Sequence, residues 1–300
     1  LPRDSPIYQV SGKDQVFFAG KFAGELDRLV EAPSVASMNG ASTTFPAQFG
    51  FRSGEKGTHT SRTIMLDELE VLLSAAPVDA ARDAYVAAVV DDNVLGKSTV
   101  ATRKLSIQRL SELYVFDPGC PIFRVLRRLW VQRPDDRPLL AVLCALARDP
   151  LLRASAVPVL AMEVGQELSR QEVTDAIRSV VAERLNEATV DKVVRNVSSS
   201  WAQSGHLKGR TRKFRQLVRP GPASVTYALV LGYLQGLRGS RLFDTIWAQA
   251  IGASPSELRN LATEAKRLGY LDLKIAGEIV EIGFSSLLTN QEIQESRGSN

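Results

Sequence analysis

Residues 98–113, STVATRKLSIQRLSEL, decide how this chain reads. They follow a turn, Asn93-Val94-Leu95-Gly96-Lys97, and open on a Ser/Thr pair suited to capping a helix. Leu105, Leu110 and Leu113 supply a core-facing side, while Lys97, Thr99, Thr102, Arg103 and Lys104 crowd the beginning. This is the expected layout of the second helix of a helix-turn-helix. The N-terminus of such a helix carries partial positive charge and unpaired N–H groups, so it can meet a phosphate while its first turns reach base edges.

Working outward, the same layout recurs at 189–205, TVDKVVRNVSSSWAQSG, and at 254–269, SPSELRNLATEAKRLG. Thr189 is expected to open the second of these helices. The third offers Ser254, Ser256, Arg259 and Asn260, diluted by Glu257 and Glu264. Both later copies run at once into a β-like segment, and helix, turn, helix, hairpin is the winged-helix order. After the second copy Lys208, Arg210, Arg212, Lys213, Arg215 and Arg219 follow one another with no acidic residue and with Phe214 interleaved. On a strand over 210–218, Arg210 and Arg212 would share one face with Phe214, and Lys213 and Arg215 the other. A basic wing of this kind suits phosphate tracking, which supplies salt-sensitive affinity more than sequence choice. His206 beside it is expected to meet phosphate or solvent. After the third copy, Ala276-Gly277 is the turn of an expected hairpin between 270–275 and 278–282.

The remaining pattern is helical. Ser61 or Thr63 can cap a helix through Leu66, Leu69, Leu72 and Leu73, and residues 79–90 form another. Leu139–Ala147 is apolar throughout and is expected to be buried on all sides. Ser169 with Glu172 forms a capping box. Pro158 either kinks its segment or divides two helices. Before Ser61, an apolar patch from Val16 to Val30 fits one helical face and could dock on the main body. Residues 33–60, rich in Ser, Thr, Gly and Asn, carry the isolated aromatics Phe45, Phe49 and Phe51 and are expected to be a loop ordered only with a partner. The fold class is therefore mainly α: an array of helix-turn-helix and winged-helix-like modules with short β wings. The expected divisions are 1–60, N-terminal arm and loop; 61–165, helical domain with the first helix-turn-helix; 166–220, second winged-helix-like module; and 221–300, C-terminal winged-helix-like module.

The 300 residues can bury a sizeable core, and a net charge of +4 permits a nucleic-acid partner without demanding one. No apolar run approaches the roughly 18 residues a membrane helix needs, and no signal-peptide pattern is present, so a cytoplasmic protein is expected. Cys120 and Cys144, without a CxxC spacing, are expected to be buried reduced thiols. Gly96-Lys97-Ser98 imitates the end of a P-loop, but Asp91 stands where that motif needs Gly. His59 and His206 have no metal-ligand spacing, Asp91-Asp92 and Asp135-Asp136 sit at turns, and no G-x-S-x-G elbow occurs. No catalytic residue, metal or cofactor is expected.

The stretch LLAVLCALARDPLLRASAVPVL, Leu139–Leu160, with the helices and basic segment that follow it to Phe214, resembles the BrxA-like proteins of bacterial BREX phage-defence loci. The resemblance centres on Ala147-Arg148-Asp149-Pro150-Leu151-Leu152-Arg153; the first sixty residues and the module after Pro220 depart from it. It implies an all-helical protein with winged-helix or helix-turn-helix parts that binds double-stranded DNA and serves a multi-protein restriction system. The expectation is a non-enzymatic duplex-DNA binder, with other defence proteins as further partners. The alternatives are a helical protein–protein adaptor and a transcriptional regulator.

Overall fold

Two helices with no polar side must lie at the centre of any fold this sequence adopts, because neither offers a face to water. In a computed structural model of the chain, which describes residues 45–277 and 279–297, they do. Helix α5 (Arg137–Arg148) buries every residue from Leu139 to Ala147, α9 (Pro222–Leu234) buries every residue it has, and the two pack together. The Ser224 and Thr226 hydroxyls inside α9 are satisfied locally, Thr226 donating to the Pro222 carbonyl at 2.7 Å. Asp136 joins the pair by accepting the Ala223 and Ser224 N–H groups, each at 3.0 Å.

Around this centre run α1 (Leu66–Ala75), α2 (Arg82–Val90), α3 (Val100–Tyr114), α4 (Pro121–Trp130), α6 (Pro150–Leu160), α7 (Arg170–Val181) and α8 (Glu187–Gln203). After α9 come α10 (Ile246–Ala250), α11 (Pro255–Arg267) and α12 (Asn290–Glu295). The protein is mainly α. α6 passes unbroken through Pro158, and α8 begins earlier than expected, because Asn186 rather than Thr189 is its cap and accepts the Thr189 N–H.

The sheets are small. β1 (Leu207–Lys208) pairs antiparallel with β2 (Phe214–Arg215), and β3 (Asp272–Ala276) with β4 (Ile279–Gly283) across the expected turn at Gly277. A third segment borders β2: Gly165 N–H donates to the Arg215 carbonyl at 2.9 Å, Arg215 N–H to Gln166 at 2.9 Å and Leu168 N–H to Lys213 at 2.8 Å. The strand expected over 210–218 is thus only Phe214–Arg215, and residues 209–213 form its turn. Gly209 sets that turn at φ +124°, where a Cβ would lie 2.0 Å from the Arg212 carbonyl oxygen.

One apolar core runs from Phe49 to Leu288, and the described residues make one compact unit. The segments 61–165, 166–220 and 221–300 share that core. Residues 45–60 are irregular as expected, apart from two short 3-10 helices at Ala47–Phe49 and Thr58–Thr60, but they are ordered without a partner, because Phe49, Phe51 and His59 are buried. Aromatics without periodicity can still plug gaps between helices, and these do. The apolar patch at 16–30 lies outside the described residues.

Candidate nucleic-acid interface

The hairpin between β1 and β2 gathers most of the basic segment at one tip. Lys208, Arg210 and Arg212 are exposed, and so is Arg219 beyond β2. Arg212 is engaged: its Nε donates to Glu167 Oε1 at 2.7 Å, a second guanidinium N–H reaches Oε2, and its charge sits 5.5 Å from the Phe214 ring centre. That hydrogen bond holds the Glu167 carboxyl below its ordinary range. Lys213, half-buried, donates to the Gly209 carbonyl at 3.2 Å. Among the described residues no carboxylate reaches Lys208, Arg210 or Arg219 within ion-pair distance.

Arg215 corrects the expected pattern. It is 7% exposed and turns inward, donating to the carbonyls of His206 and Gln216. Gly252 lets the joint close, since a Cβ there would stand 2.9 Å from Val218 Cγ2 and 3.8 Å from the Arg215 guanidinium. Alternation along the strand turns this cation into the body instead of toward a phosphate. His206 is likewise no surface group. It is fully buried, edge-on to Trp201, with Nδ1 2.9 Å from Ser204 Oγ and Nε2 2.8 Å from the Ala250 carbonyl. Burial, with the nearby Arg215 charge, pushes its pKa down to about 4.

Sequence reasoning missed two cations on α8. Val190, Val193, Val194 and Val197 bury one side, leaving Lys192 and Arg195 exposed on the other. Their i, i+3 spacing opposite the valine stripe was the available signal. Asp191 beside them is held by Arg170 at 2.7 Å.

The cations at the start of α3 are placed differently. Thr99 caps α3 by accepting the Thr102 N–H, and the two hydroxyls lie 2.9 Å apart. Lys97 Nζ pairs with Glu68 at 3.1 Å. Arg103 donates to the carbonyls of Lys97 at 3.2 Å and Val90 at 3.1 Å. Lys104 alone of these cations points an unpaired charge outward. In the third copy Ser254 caps α11 and Arg259 is exposed. The β3–β4 hairpin that follows is not basic: Lys274 faces Glu281 at 3.5 Å, and Ile275 and Ile279 are exposed.

A buried cluster also escaped the sequence. His59 Nδ1 lies 2.8 Å from Asp149 Oδ2 and Nε2 lies 2.8 Å from Ser200 Oγ. These are the spacings of a hydrolytic triad, but all three side chains are fully buried. Ser200 also donates to the Asn196 carbonyl at 2.9 Å and accepts the Ile64 N–H at 3.0 Å, so its hydroxyl is tied into the packing of the helix and residue 64. Asp149 also caps α6 through the Leu151 and Leu152 N–H groups. Burial raises the Asp149 pKa, but the His59 charge and these donors outweigh it and hold the carboxyl at about 2. The cluster is a clamp joining residues 58–60, α6 and α8. Its members stand about 90 and 140 positions apart, beyond the reach of any spacing rule.

Cys144 is buried, with its thiol pushed up to about 12, whereas Cys120 is only partly buried. No group of metal-ligating side chains occurs among the described residues, and none of the described helices is long and apolar enough to cross a membrane. Neither a protein-family model nor a curated protein sequence matches this chain.

Proposed function

We propose that this chain is a non-enzymatic protein that binds double-stranded DNA through the β1–β2 hairpin and the exposed side of α8. α6, the segment 165–168, α7, α8, β1 and β2 follow one another in winged-helix order. In that arrangement the last helix enters the major groove while the wing meets phosphates. The carrying observation is the hairpin tip, where Lys208 and Arg210 project with no carboxylate among the described residues to neutralise them. The resemblance of residues 139–160 to BrxA-like proteins supports a role in a bacterial phage-defence system of the BREX kind. In that role the protein works in the cytoplasm, needs no cofactor and has other defence proteins as partners.

Mobility-shift titration of duplexes of about 30 base pairs at low and at physiological salt tests the reading. The unaltered protein shifts the duplex in a salt-sensitive way, and Lys208→Glu with Arg210→Glu abolishes the shift. Salt-insensitive binding, or binding unchanged by the pair of substitutions, refutes it.

A further inference from the structure

Helices α2 and α3 pack as neighbours and leave between them an open groove of about 710 Å³. Val86, Val90, Ile107 and Val115 line its floor. Val86 is 36% exposed although Val89, one turn along the same helix, is fully buried. Arg82 and Lys104 stand on the rim, exposed and without an ion-pair partner among the described residues. Arg52 and Arg148 close the inner end, Arg148 Nε donating to the Glu112 carbonyl at 2.9 Å and Arg52 to the same oxygen at 3.4 Å. The acidic lining residue, Glu112, is neutralised: Arg109 donates to both carboxylate oxygens at 2.9 Å and Thr58 to one of them at 2.9 Å. What remains is an apolar floor under a net positive rim.

The end of α3 shows that this floor is held at a cost. Val115 has φ +71° and ψ −51°, and the Phe116 N–H donates to the Tyr114 carbonyl at 2.8 Å, which makes a tight γ-turn about a β-branched residue. Such backbone is strained, and strain of this kind gathers at ligand-binding positions. Here it sets a valine at the groove's edge where glycine would form the turn without penalty.

We propose that the groove docks a short acidic amphipathic segment of a partner protein, with apolar side chains against Val86, Val90 and Ile107 and carboxylates against Arg82 and Lys104. An amphipathic helix laid into an apolar groove is a recurring mode of recognition. A DNA backbone offers phosphates to the rim but nothing apolar to cover the floor, so the valines favour a peptide. This goes beyond the DNA-binding proposal, which rests on the hairpin and α8.

The test pans a displayed library of random peptides against the full chain and, in parallel, against Val86→Asp and Arg82→Glu/Lys104→Glu. All three positions are exposed, so circular dichroism and thermal midpoint should match the unaltered chain. The expected result is enrichment of peptides with acidic residues and apolar residues at i and i+3 or i+4. A fluorescein-labelled consensus peptide should then lose about tenfold or more in affinity, read by anisotropy, in either variant, and the charge variant should also flatten its salt dependence. The proposal is overturned if no acidic peptide is enriched over the variants, or if the consensus peptide binds all of them equally. It is overturned too if Arg82→Glu/Lys104→Glu weakens duplex binding while no peptide is selected, because the groove would then be a nucleic-acid contact. Because Lys208 and Arg210 are untouched, failure of the groove leaves the hairpin reading standing.

Discussion

Replacing Lys208 and Arg210 together by Gln gives the sharpest reading of the interface, because the structure sets the size of the effect. The exposed cations of the hairpin and α8 that no described carboxylate engages are Lys192, Arg195, Lys208, Arg210 and Arg219. If each meets one phosphate, the plot of log binding constant against log salt should slope at about −4.5, at roughly 0.9 per contact. Removing two contacts should bring the slope to about −2.7 and cost about 30-fold in affinity near 0.15 M salt. Fluorescence-anisotropy titrations of a labelled duplex across a salt series measure both quantities. Neither side chain takes part in the core, so the thermal midpoint should not move. A slope that stays within about half a unit of the unaltered protein's would show that these cations do not touch phosphate, and the proposed surface would be wrong.

Other substitutions test the surroundings. Glu167→Gln frees Arg212, and should steepen the same salt plot by about one unit and tighten binding; unchanged titrations would show that Arg212 takes no part. Asp149→Ala removes a helix cap and leaves the buried His59 backbone N–H and Nδ1 without their partner, which should cost about 3–5 kcal/mol in urea unfolding followed by tryptophan fluorescence. Because the folded pKa of Asp149 lies at about 2, below the roughly 3.9 of an unfolded chain, its contribution is full above about pH 4 and is lost as pH falls through 2. His206 acts in a higher window. With a folded pKa of about 4 against about 6.5 unfolded, the neutral ring stabilises the fold fully above about pH 6.5, and stability should drop by about 3 kcal/mol as pH falls toward 4. His206→Gln should flatten that stretch of the stability curve, and a curve that keeps its slope would place the titrating group elsewhere.

Much of the architecture was legible because it rests on local signals. The apolar run at 139–147 could only be a central helix, the caps at Thr99, Ser169 and Ser254 sit where expected, and Ala276-Gly277 does turn a hairpin. What could not be read was set by distant partners. Phe49, Phe51 and His59 look like loop residues until α5, α6 and α8 are packed around them. The side taken by Arg215 depends on the hairpin's register and on the close approach at Gly252, neither of which a charge run encodes. Lys192 and Arg195 were hidden for the opposite reason, being too ordinary to stand out until α8 showed which side it leaves open.

The three capped helices carry one further lesson about basic residues at the start of such a helix. A cation there has two anionic targets: a phosphate outside, or the unpaired carbonyls at the end of the preceding helix. In the first copy the inner target wins, since Arg103 donates to Val90, the last residue of α2, and Lys97 is spent on Glu68. In the second copy the task falls to Arg178, near the end of α7, which donates to the carbonyls of Ala182 and Leu185 and to Glu187. Lys192 and Arg195, farther along α8, stay exposed. The hairpin completes the contrast, because Lys208 at the end of β1 and Arg210 in its turn project beyond every described carboxylate, Glu167 being held by Arg212. The same sequence layout therefore turns Lys97 and Arg103 inward at the α2–α3 turn and leaves Lys192 and Arg195 exposed on α8. What separates them is where the preceding helix finds the charge that caps its end.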